Sequence, residues 1–148
     1  MTESAGDGFA AYMVKRGHRE NPTPFGRLER CSLIYVGTPY SKWPAGINDA
    51  FIEACKLTAR LLSDGLKVYS PIAHTHPIAI YGALDPLDHN IWLPFDAAMM
   101  DAADAMIVAT MDGWNESKGI DHEIQVFRKA GKPIYALNPK TMEITEFK

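Results

Sequence analysis

Four short apolar runs alternate along the chain with longer segments in which apolar residues recur every three or four positions. Continuous apolar runs are typical of strands that are buried on both faces, and the longer spacing is typical of amphipathic helices. The pattern predicts strands over 33–36, 66–69, 106–109 and 133–137. It predicts helices that begin at Ile47, Asn90 and Ser117, with the last two residues acting as N-caps.

Strands that alternate with helices predict a parallel sheet covered by helices on both faces. Right-handed crossovers then give a small doubly wound α/β fold of the Rossmann-like or flavodoxin-like type. In such folds the ligand lies beyond the carboxyl ends of the strands. Three loops leave those ends here, over 37–42, 70–76 and 110–117, and we expect the chemistry there.

Three segments fall outside this alternation. Residues 1–30 have no apolar period and are interpreted as an N-terminal tail, in which the run GFAAYMV is a candidate for a short helix or for packing on the core. Residues 71–89 are predicted to form a long connection, a kind that is usually functional or disordered. Residues beyond 137 are predicted to be a tail or an edge hairpin. One folded domain over 31–148 is expected.

Composition narrows the functional classes. The chain has 148 residues, 47% hydrophobic and 22% charged, with a formal net charge of -3, so a nucleic acid polymer is not an expected partner. Cys31 and Cys55 are interpreted as small buried hydrophobes and not as a disulfide. The start of the chain lacks a signal-peptide pattern, and no apolar stretch approaches membrane-spanning length. The expectation is a cytoplasmic protein with no membrane partner.

The segment 114–123, WNESKGIDHE, carries the most chemical information. Ser117 is placed to cap a helix, Gly119 allows a ligand to approach the backbone, and a helix N-terminus is an anion site. Glu123 lies in the second turn, where the helix dipole would hold its carboxylate ionised. An ionised, positioned carboxylate is a suitable nucleophile toward a sugar C1 carbon. The alternative is that Ser117 is only a cap and Glu123 only a surface residue.

A second candidate is Asp96, which lies mid-helix among apolar residues. A carboxyl group in such a setting has a raised pKa and can act as an acid toward a leaving base. The alternative is an exposed helix residue. Asp101 is expected to be solvated, and Asp104 to close the helix before the third strand.

The connection 71–89 and the aromatic residues supply further candidates. Its histidines and aspartates match no zinc spacing, so neither a metal nor a cofactor is expected, and His76 is interpreted as a loop residue that lines the crevice.

One or two of the aromatic residues near the crevice are expected to touch a nucleobase; the candidates are Tyr35, Tyr40, Trp43, Trp92 and Trp114. Dinucleotide, P-loop and α/β-hydrolase motifs are missing from the sequence.

Taken in order, three motifs resemble the nucleoside 2-deoxyribosyltransferase superfamily. The run YVGTPY from Tyr35 to Tyr40, with Gly37 and Thr38 inside it, is similar to the opening motif of that superfamily. Asp96, followed by an apolar strand, resembles its helix with an active-site Asp. The run SKGIDHE from Ser117 to Glu123 resembles its nucleophile signature. The resemblance covers roughly residues 32–137, and the run SPIAHTHPI is similar to a bacterial and phage branch.

The resemblance implies roles for individual residues. Glu123 would attack C1′, Asp96 would contact or protonate the base, and Tyr35 would assist them. Together with the crevice residues considered above, the residues expected to bind substrate are Ser117, Gly119, Gly37, Thr38, Tyr40, His76 and Trp92. The resemblance also implies a homo-oligomer that acts on a small nucleotide or nucleoside.

One departure from the transferase pattern favours a hydrolase. Transferases of the superfamily carry Asp where this chain has Ser117, whereas the branch that hydrolyses nucleoside 5′-monophosphates carries Ser. An Asp would repel a phosphate, while a Ser donates a hydrogen bond to it. The first hypothesis is therefore an N-glycosidase acting on a (deoxy)nucleoside 5′-monophosphate. A deoxyribosyltransferase that exchanges bases and a non-catalytic nucleotide-binding protein are the alternatives.

Overall fold

A computed structural model describes residues 23–148 of the chain. The strands of this part are β1 (Ile34–Gly37), β2 (Val68–Tyr69), β3 (Ala105–Ala109), β4 (Ile134–Leu137) and β5 (Ile144–Glu146). The helices are α1 (Pro24–Glu29), α2 (Ile47–Ser63), α3 (Pro71–Gly82), α4 (His89–Ala102) and α5 (Lys118–Lys129), with a 3₁₀ turn at Trp114–Glu116. None of these helices is both long and apolar enough to cross a membrane.

The strands form one sheet in the order β2-β1-β3-β4-β5. The first four run parallel, and β5 returns antiparallel to β4, which is the edge hairpin of the two predicted alternatives. The order of the four parallel strands is that of flavodoxin-like doubly wound folds, in which the chain reverses its direction of winding between β1 and β3. The predicted fold class is confirmed.

Alternate residues of the central strands face opposite sides of the sheet, and each side has its own core. Ile34 and Val36 pack with Leu57 and Leu61 of α2 on one side. Tyr35, the residue between them, packs on the other side with α5 and with the end of α4. Helices therefore cover both faces, as continuous apolar strands require.

The predicted connection over 71–89 is wrong, because residues 71–82 form helix α3. The Ser70 hydroxyl caps this helix by accepting a hydrogen bond from the Ala73 N–H, and Pro71 takes the first turn, where a missing N–H costs nothing. Thr75 and His76 are buried, so the run HTHP, although polar in sequence, has a side that faces the protein interior. Pro77 lies inside the helix without ending it.

Two further boundaries differ from the predictions. Helix α4 is capped by Asp88, whose carboxylate accepts a hydrogen bond from the N–H of Asn90, the residue predicted as the cap. Part of the predicted tail forms α1, and its Leu28 is fully buried in the core. The run GFAAYMV lies outside the described residues.

Cys31 and Cys55 are half-buried free thiols.

Candidate active site

A cavity of about 510 Å³ lies beyond the carboxyl ends of β1, β2 and β3. Its wall is made by the segment after β1, the start of α3, one side of α4 and the start of α5. All three loops in which chemistry was expected contribute to this wall. The cavity therefore lies where the winding of the chain reverses, the ligand-binding position of doubly wound folds.

Glu123 lies on the cavity wall, and a residue of the sheet holds its carboxyl group in place. The Tyr35 hydroxyl donates a hydrogen bond of 2.6 Å to Glu123 Oε2. Tyr35 is fully buried in β1 and does not itself line the cavity. Burial, followed by the nearby Glu123 carboxylate, raises the pKa of the Tyr35 hydroxyl far above its usual range, so it remains a donor. The structure thus joins two residues that are 88 positions apart in sequence.

Gly37 is next to this pair, although it does not line the cavity. A Cβ added at this position would lie 2.8 Å from Met106 Cε and 3.1 Å from Glu123 Oε1. The first distance is a clash and the second is tighter than ordinary van der Waals contact. The glycine therefore leaves room for the Glu123 carboxylate and is not a direct ligand contact in this geometry.

The protonation of Glu123 differs from the expectation that the helix dipole would hold it ionised. Burial raises the pKa of Glu123 to about 8; the hydrogen bond from Tyr35 lowers it, and the Asp96 charge raises it further. In the second turn of α5 the helix dipole is too weak to offset this desolvation. The ligand-free carboxyl is consequently protonated at neutral pH.

Asp96 faces the same cavity from α4. It is half-buried, and burial raises its pKa to about 6, as the apolar surroundings in the sequence predicted. Its Oδ1 is buried and has no hydrogen-bond partner among the described residues. The Tyr69 hydroxyl, which sequence reasoning missed, is likewise buried without a partner within residues 23–148. Burial, then Asp96, then Glu123 raise the pKa of Tyr69, so these groups share one electrostatic environment.

The N-terminus of α5 forms the polar end of the cavity. Ser117 caps the helix as predicted, with its Oγ accepting a hydrogen bond of 3.2 Å from the Ile120 N–H. Its hydroxyl proton remains available to a ligand. Gly119 is also on the wall, together with Lys42 and Lys118. Sequence reasoning missed the two lysines, because only the folded backbone determines which cations lie at this end of the cavity.

Thr38, Tyr40 and Trp92 line the cavity as predicted. Thr38 is 4% exposed, and its Oγ1 has no partner within the described chain. A buried hydroxyl without a partner beside a cavity is a hydrogen-bonding group that a ligand can satisfy. The Trp92 Nε1 donates a hydrogen bond to the Asp85 carbonyl, which fixes the ring on the wall. Of the five aromatic candidates, only Tyr40 and Trp92 line the cavity.

His76 is not on the cavity wall, so its interpretation as a lining loop residue is wrong. It lies inside α3, is 3% exposed, and stacks on the Phe51 ring at 4.6 Å. Its Nδ1 is 2.6 Å from the Tyr40 hydroxyl. Burial lowers the pKa of His76, and the neutral ring suits a hydrogen bond that fixes Tyr40. His76 is therefore a positioning residue behind the wall.

The acidic and histidine side chains of 74–89 do not converge. His74 stacks on Phe95 at 4.9 Å, while His76 is next to Phe51. Within the described range, no three His, Cys, Asp or Glu side chains form a group that could hold a metal ion. The candidate site is thus composed of carboxyl, hydroxyl, ammonium and backbone N–H groups.

Fold and site together define a class: a flavodoxin-like α/β domain with two carboxyl groups facing one cavity where its winding reverses. The chain belongs to the family described as "Domain of unknown function (DUF1937)", whose sequence pattern matches residues 32–138. The matched region includes the four parallel strands and the wall residues named above. No curated protein matches the chain.

The raised pKa of Glu123 predicts a stability that falls as the pH rises. The folded state holds a proton that the unfolded chain releases above its usual pKa of 4.5, so ionisation destabilises the fold progressively up to about pH 8. We expect the melting temperature of the wild type to fall by several degrees between about pH 5 and about pH 8 relative to Glu123→Gln. Thermal unfolding followed by circular dichroism measures this difference.

The matched control for this experiment is Asp121→Asn, which removes an exposed carboxylate from the same helix. Its stability should follow the wild-type pH dependence. Parallel curves for wild type and Glu123→Gln would show that Glu123 does not hold a proton in the fold.

Proposed function

We propose that this protein hydrolyses the N-glycosidic bond of a nucleoside 5′-monophosphate, with Glu123 as nucleophile and Asp96 as acid. The observation that carries the proposal is the Tyr35–Glu123 hydrogen bond, which holds one carboxyl on the wall of a cavity that Asp96 also lines. Glycoside hydrolases use two carboxyl groups at the site of the scissile bond. The anion-binding end of the cavity supports a phosphorylated substrate.

The mechanism has two steps. Ionised Glu123 attacks C1′ as the bond from C1′ to the base nitrogen breaks, and Asp96 delivers its proton to the leaving base. Water then attacks C1′ of the glycosyl-Glu123 ester, Asp96 accepts a proton from that water, and the Glu123 carboxylate leaves. The products are a free base and a (deoxy)ribose 5-phosphate.

The reaction requires one proton shared by the two carboxyl groups. Without a ligand, the pKa values of about 6 for Asp96 and about 8 for Glu123 leave that proton on Glu123 at neutral pH. The reactive arrangement has the proton on Asp96, so it is a minor form with the same total charge. The positive charge that develops on the sugar favours ionised Glu123 and draws the pair toward that form.

The phosphate is assigned to the start of α5. Ser117 can donate its hydroxyl proton, the first turn of α5 lies on the cavity wall, and Lys42 and Lys118 are on the same wall. Trp92 supplies a ring near the opposite carboxyl group, where a base would stack. A cytoplasmic location is part of the proposal, since nucleotides are available there and both cysteines are unpaired thiols.

We expect a preference for the phosphorylated substrate. Charge-assisted hydrogen bonds at Ser117 should favour a nucleoside 5′-monophosphate over its nucleoside by at least about tenfold in kcat/KM, or ~1.4 kcal/mol. Ser117→Asp should reverse the preference, because a carboxylate repels phosphate but accepts a bond from a free 5′-hydroxyl. Asp is also a good N-cap, so the helix should remain intact. Base release measured by chromatography for both substrate forms gives the ratio.

The control is Ser41→Asp, which adds the same charge elsewhere on the cavity wall. It should weaken phosphate binding less than Ser117→Asp and should not reverse the preference. Equal kcat/KM values for nucleoside and nucleotide with the wild type would contradict the hydrolase and favour the transferase.

Product analysis distinguishes the proposal from its two alternatives. Incubation with a panel of nucleosides and nucleoside monophosphates should release base without any acceptor. A transferase would instead need a second base and would form a new nucleoside. A binding protein would be stabilised by nucleotide without turnover, as thermal shift in the presence of ligand would show.

A further inference from the structure

Tyr69 carries a buried hydroxyl that the proposed mechanism does not use. It is the last residue of β2, and it pairs in register with Tyr35 on the neighbouring parallel strand β1. Residues paired in this way project from the same face of the sheet, and the two rings are 5.9 Å apart. Both pack in the core formed with α5 and the end of α4. Two tyrosines therefore lie side by side under the helices that carry the two carboxyl groups.

The charged group that acts most strongly on Tyr69 is Asp96. The Tyr69 ring contacts that of Phe95, the residue before Asp96 on α4, with centroids 6.3 Å apart. Burial first, then the Asp96 charge and then that of Glu123 raise the pKa of the Tyr69 hydroxyl. For Tyr35 the order of the two charges is reversed. Each tyrosine thus interacts most strongly with a different carboxyl group of the pair.

Two buried polar atoms in this region have no hydrogen-bond partner within residues 23–148. The Tyr69 hydroxyl is a donor, and Asp96 Oδ1 is an acceptor. A buried polar atom without a partner costs free energy, and the cost is greatest for an ionised group. Hydrogen bonds of an active site are often long in the ligand-free state and shorten in the reacting complex. A donor and an acceptor buried on the same side of the sheet can therefore satisfy each other.

We propose that Tyr69 is a positioning residue for Asp96, and that its hydroxyl donates a hydrogen bond to Asp96 Oδ1 when this carboxyl group is ionised. Asp96 lines the cavity although its Oδ1 is buried, so the bond leaves Oδ2 as the oxygen that exchanges a proton with the base and with water. Tyr69 thereby does for the acid what Tyr35 does for Glu123. The acid role of Asp96 rests on the proposed function, whereas the hydrogen bond does not.

Titratable groups lie around Tyr69 on each neighbouring element, and they are Tyr35 of β1, His74 of α3, Asp96 of α4 and Glu123 of α5. The His74 ring centroid is 5.8 Å from that of Tyr69. The charges that raise the pKa of Tyr69 are those of the carboxyl pair. Tyr69→Phe removes one hydroxyl and leaves all these groups in place, so a change in the titration of Asp96 reports on that hydroxyl.

Carbon-13 NMR titration of the aspartate carboxyl groups in the full chain tests the hydrogen bond without requiring turnover. The Asp96 signal is the one that disappears in Asp96→Asn. Loss of a donor to the ionised form raises the pKa of a carboxyl group. We therefore expect Tyr69→Phe to raise the Asp96 midpoint above about 6 by about one pH unit. Tyr81→Phe, at a tyrosine that is 90% exposed, is the matched control and should leave the midpoint unchanged.

The pH dependence of base release should divide the two tyrosines in the same way. The rise in activity near pH 6 follows the first proton lost from the pair, mainly from Asp96, and the fall near pH 8 follows the second, from Glu123. Tyr69→Phe should move the rise to higher pH by about one pH unit and leave the fall in place. Tyr35→Phe should instead move the fall to higher pH, because the Tyr35 hydrogen bond lowers the pKa of Glu123.

An unchanged or lowered Asp96 midpoint in Tyr69→Phe would overturn the inference, as would an equal rise in Tyr81→Phe. Phenylalanine has nearly the shape of tyrosine, and the deleted hydroxyl has no partner within the described chain, so Tyr69→Phe should fold, which circular dichroism verifies. A raised midpoint in a protein that releases base from no nucleotide would support the hydrogen bond and refute the proposed function. Base release with an unmoved midpoint would refute the hydrogen bond alone.

Discussion

Glu123→Gln should reduce base release by several orders of magnitude while leaving the fold and nucleotide affinity nearly unchanged. The amide cannot form the glycosyl ester, so the covalent step is lost. It does retain an oxygen to accept the Tyr35 hydrogen bond and a similar volume beside Gly37. Single-turnover base release and nucleotide binding by calorimetry, measured on the same preparation, separate the chemical step from binding.

Asp121→Asn is again the matched control, since it removes a carboxylate from α5 that does not line the cavity. It should retain wild-type rates. A Glu123→Gln variant with wild-type turnover on the true substrate would show that the assigned nucleophile is wrong.

Asp96→Asn should lower kcat by roughly 10²–10⁴-fold, the usual contribution of a general acid. The loss should shrink for substrates whose bases leave readily without protonation, because those bases need the acid least. Comparison of kcat for a poor and a good leaving base, in wild type and variant, measures this. Asp101→Asn, at an exposed position of the same helix, is the control. An equal loss for both bases would contradict an acid role for Asp96.

The pH profile of the same variant gives an independent test. With one shared proton, wild-type activity should be bell-shaped between about pH 6 and about pH 8. Asp96→Asn should lose the fall at high pH, because no acid remains to be deprotonated. Its rise should follow the ionisation of Glu123 alone and therefore lie above the wild-type rise at about pH 6, but below about pH 8, because the Asp96 charge no longer raises the pKa of Glu123.

Much of the fold could be predicted because its signals are local. The central strands are completely buried, so their sequences are uninterrupted apolar runs. Ser117 caps α5 through a contact with a residue three positions away. The position of the cavity follows from topology, which places the carboxyl ends of parallel strands together. Glu123 and Asp96 could therefore be expected at one place without any distance being known.

The remaining features depend on partners that are distant in sequence. Helix α3 was missed because the burial of His76 is made possible by Tyr40 and Phe51, which come from other segments. The high pKa of Glu123 depends on burial, and burial cannot be predicted from the sequence near α5. The hydroxyls of Thr38 and Tyr69, which have no hydrogen-bond partner within residues 23–148, are also products of packing.

The Tyr35 hydrogen bond makes the two oxygens of the Glu123 carboxylate inequivalent. In solution they are interchangeable by resonance, and either could attack. Here Oε2 is occupied by a hydroxyl whose pKa is too high for it to ionise, while Oε1, beside Gly37, has no hydrogen-bond partner among the described residues. Under the proposed mechanism, Oε1 would therefore be the oxygen that attacks C1′, and it is distinguished from Oε2 before any substrate arrives. A hydrogen bond from the central strand would thus decide which oxygen forms the glycosyl ester.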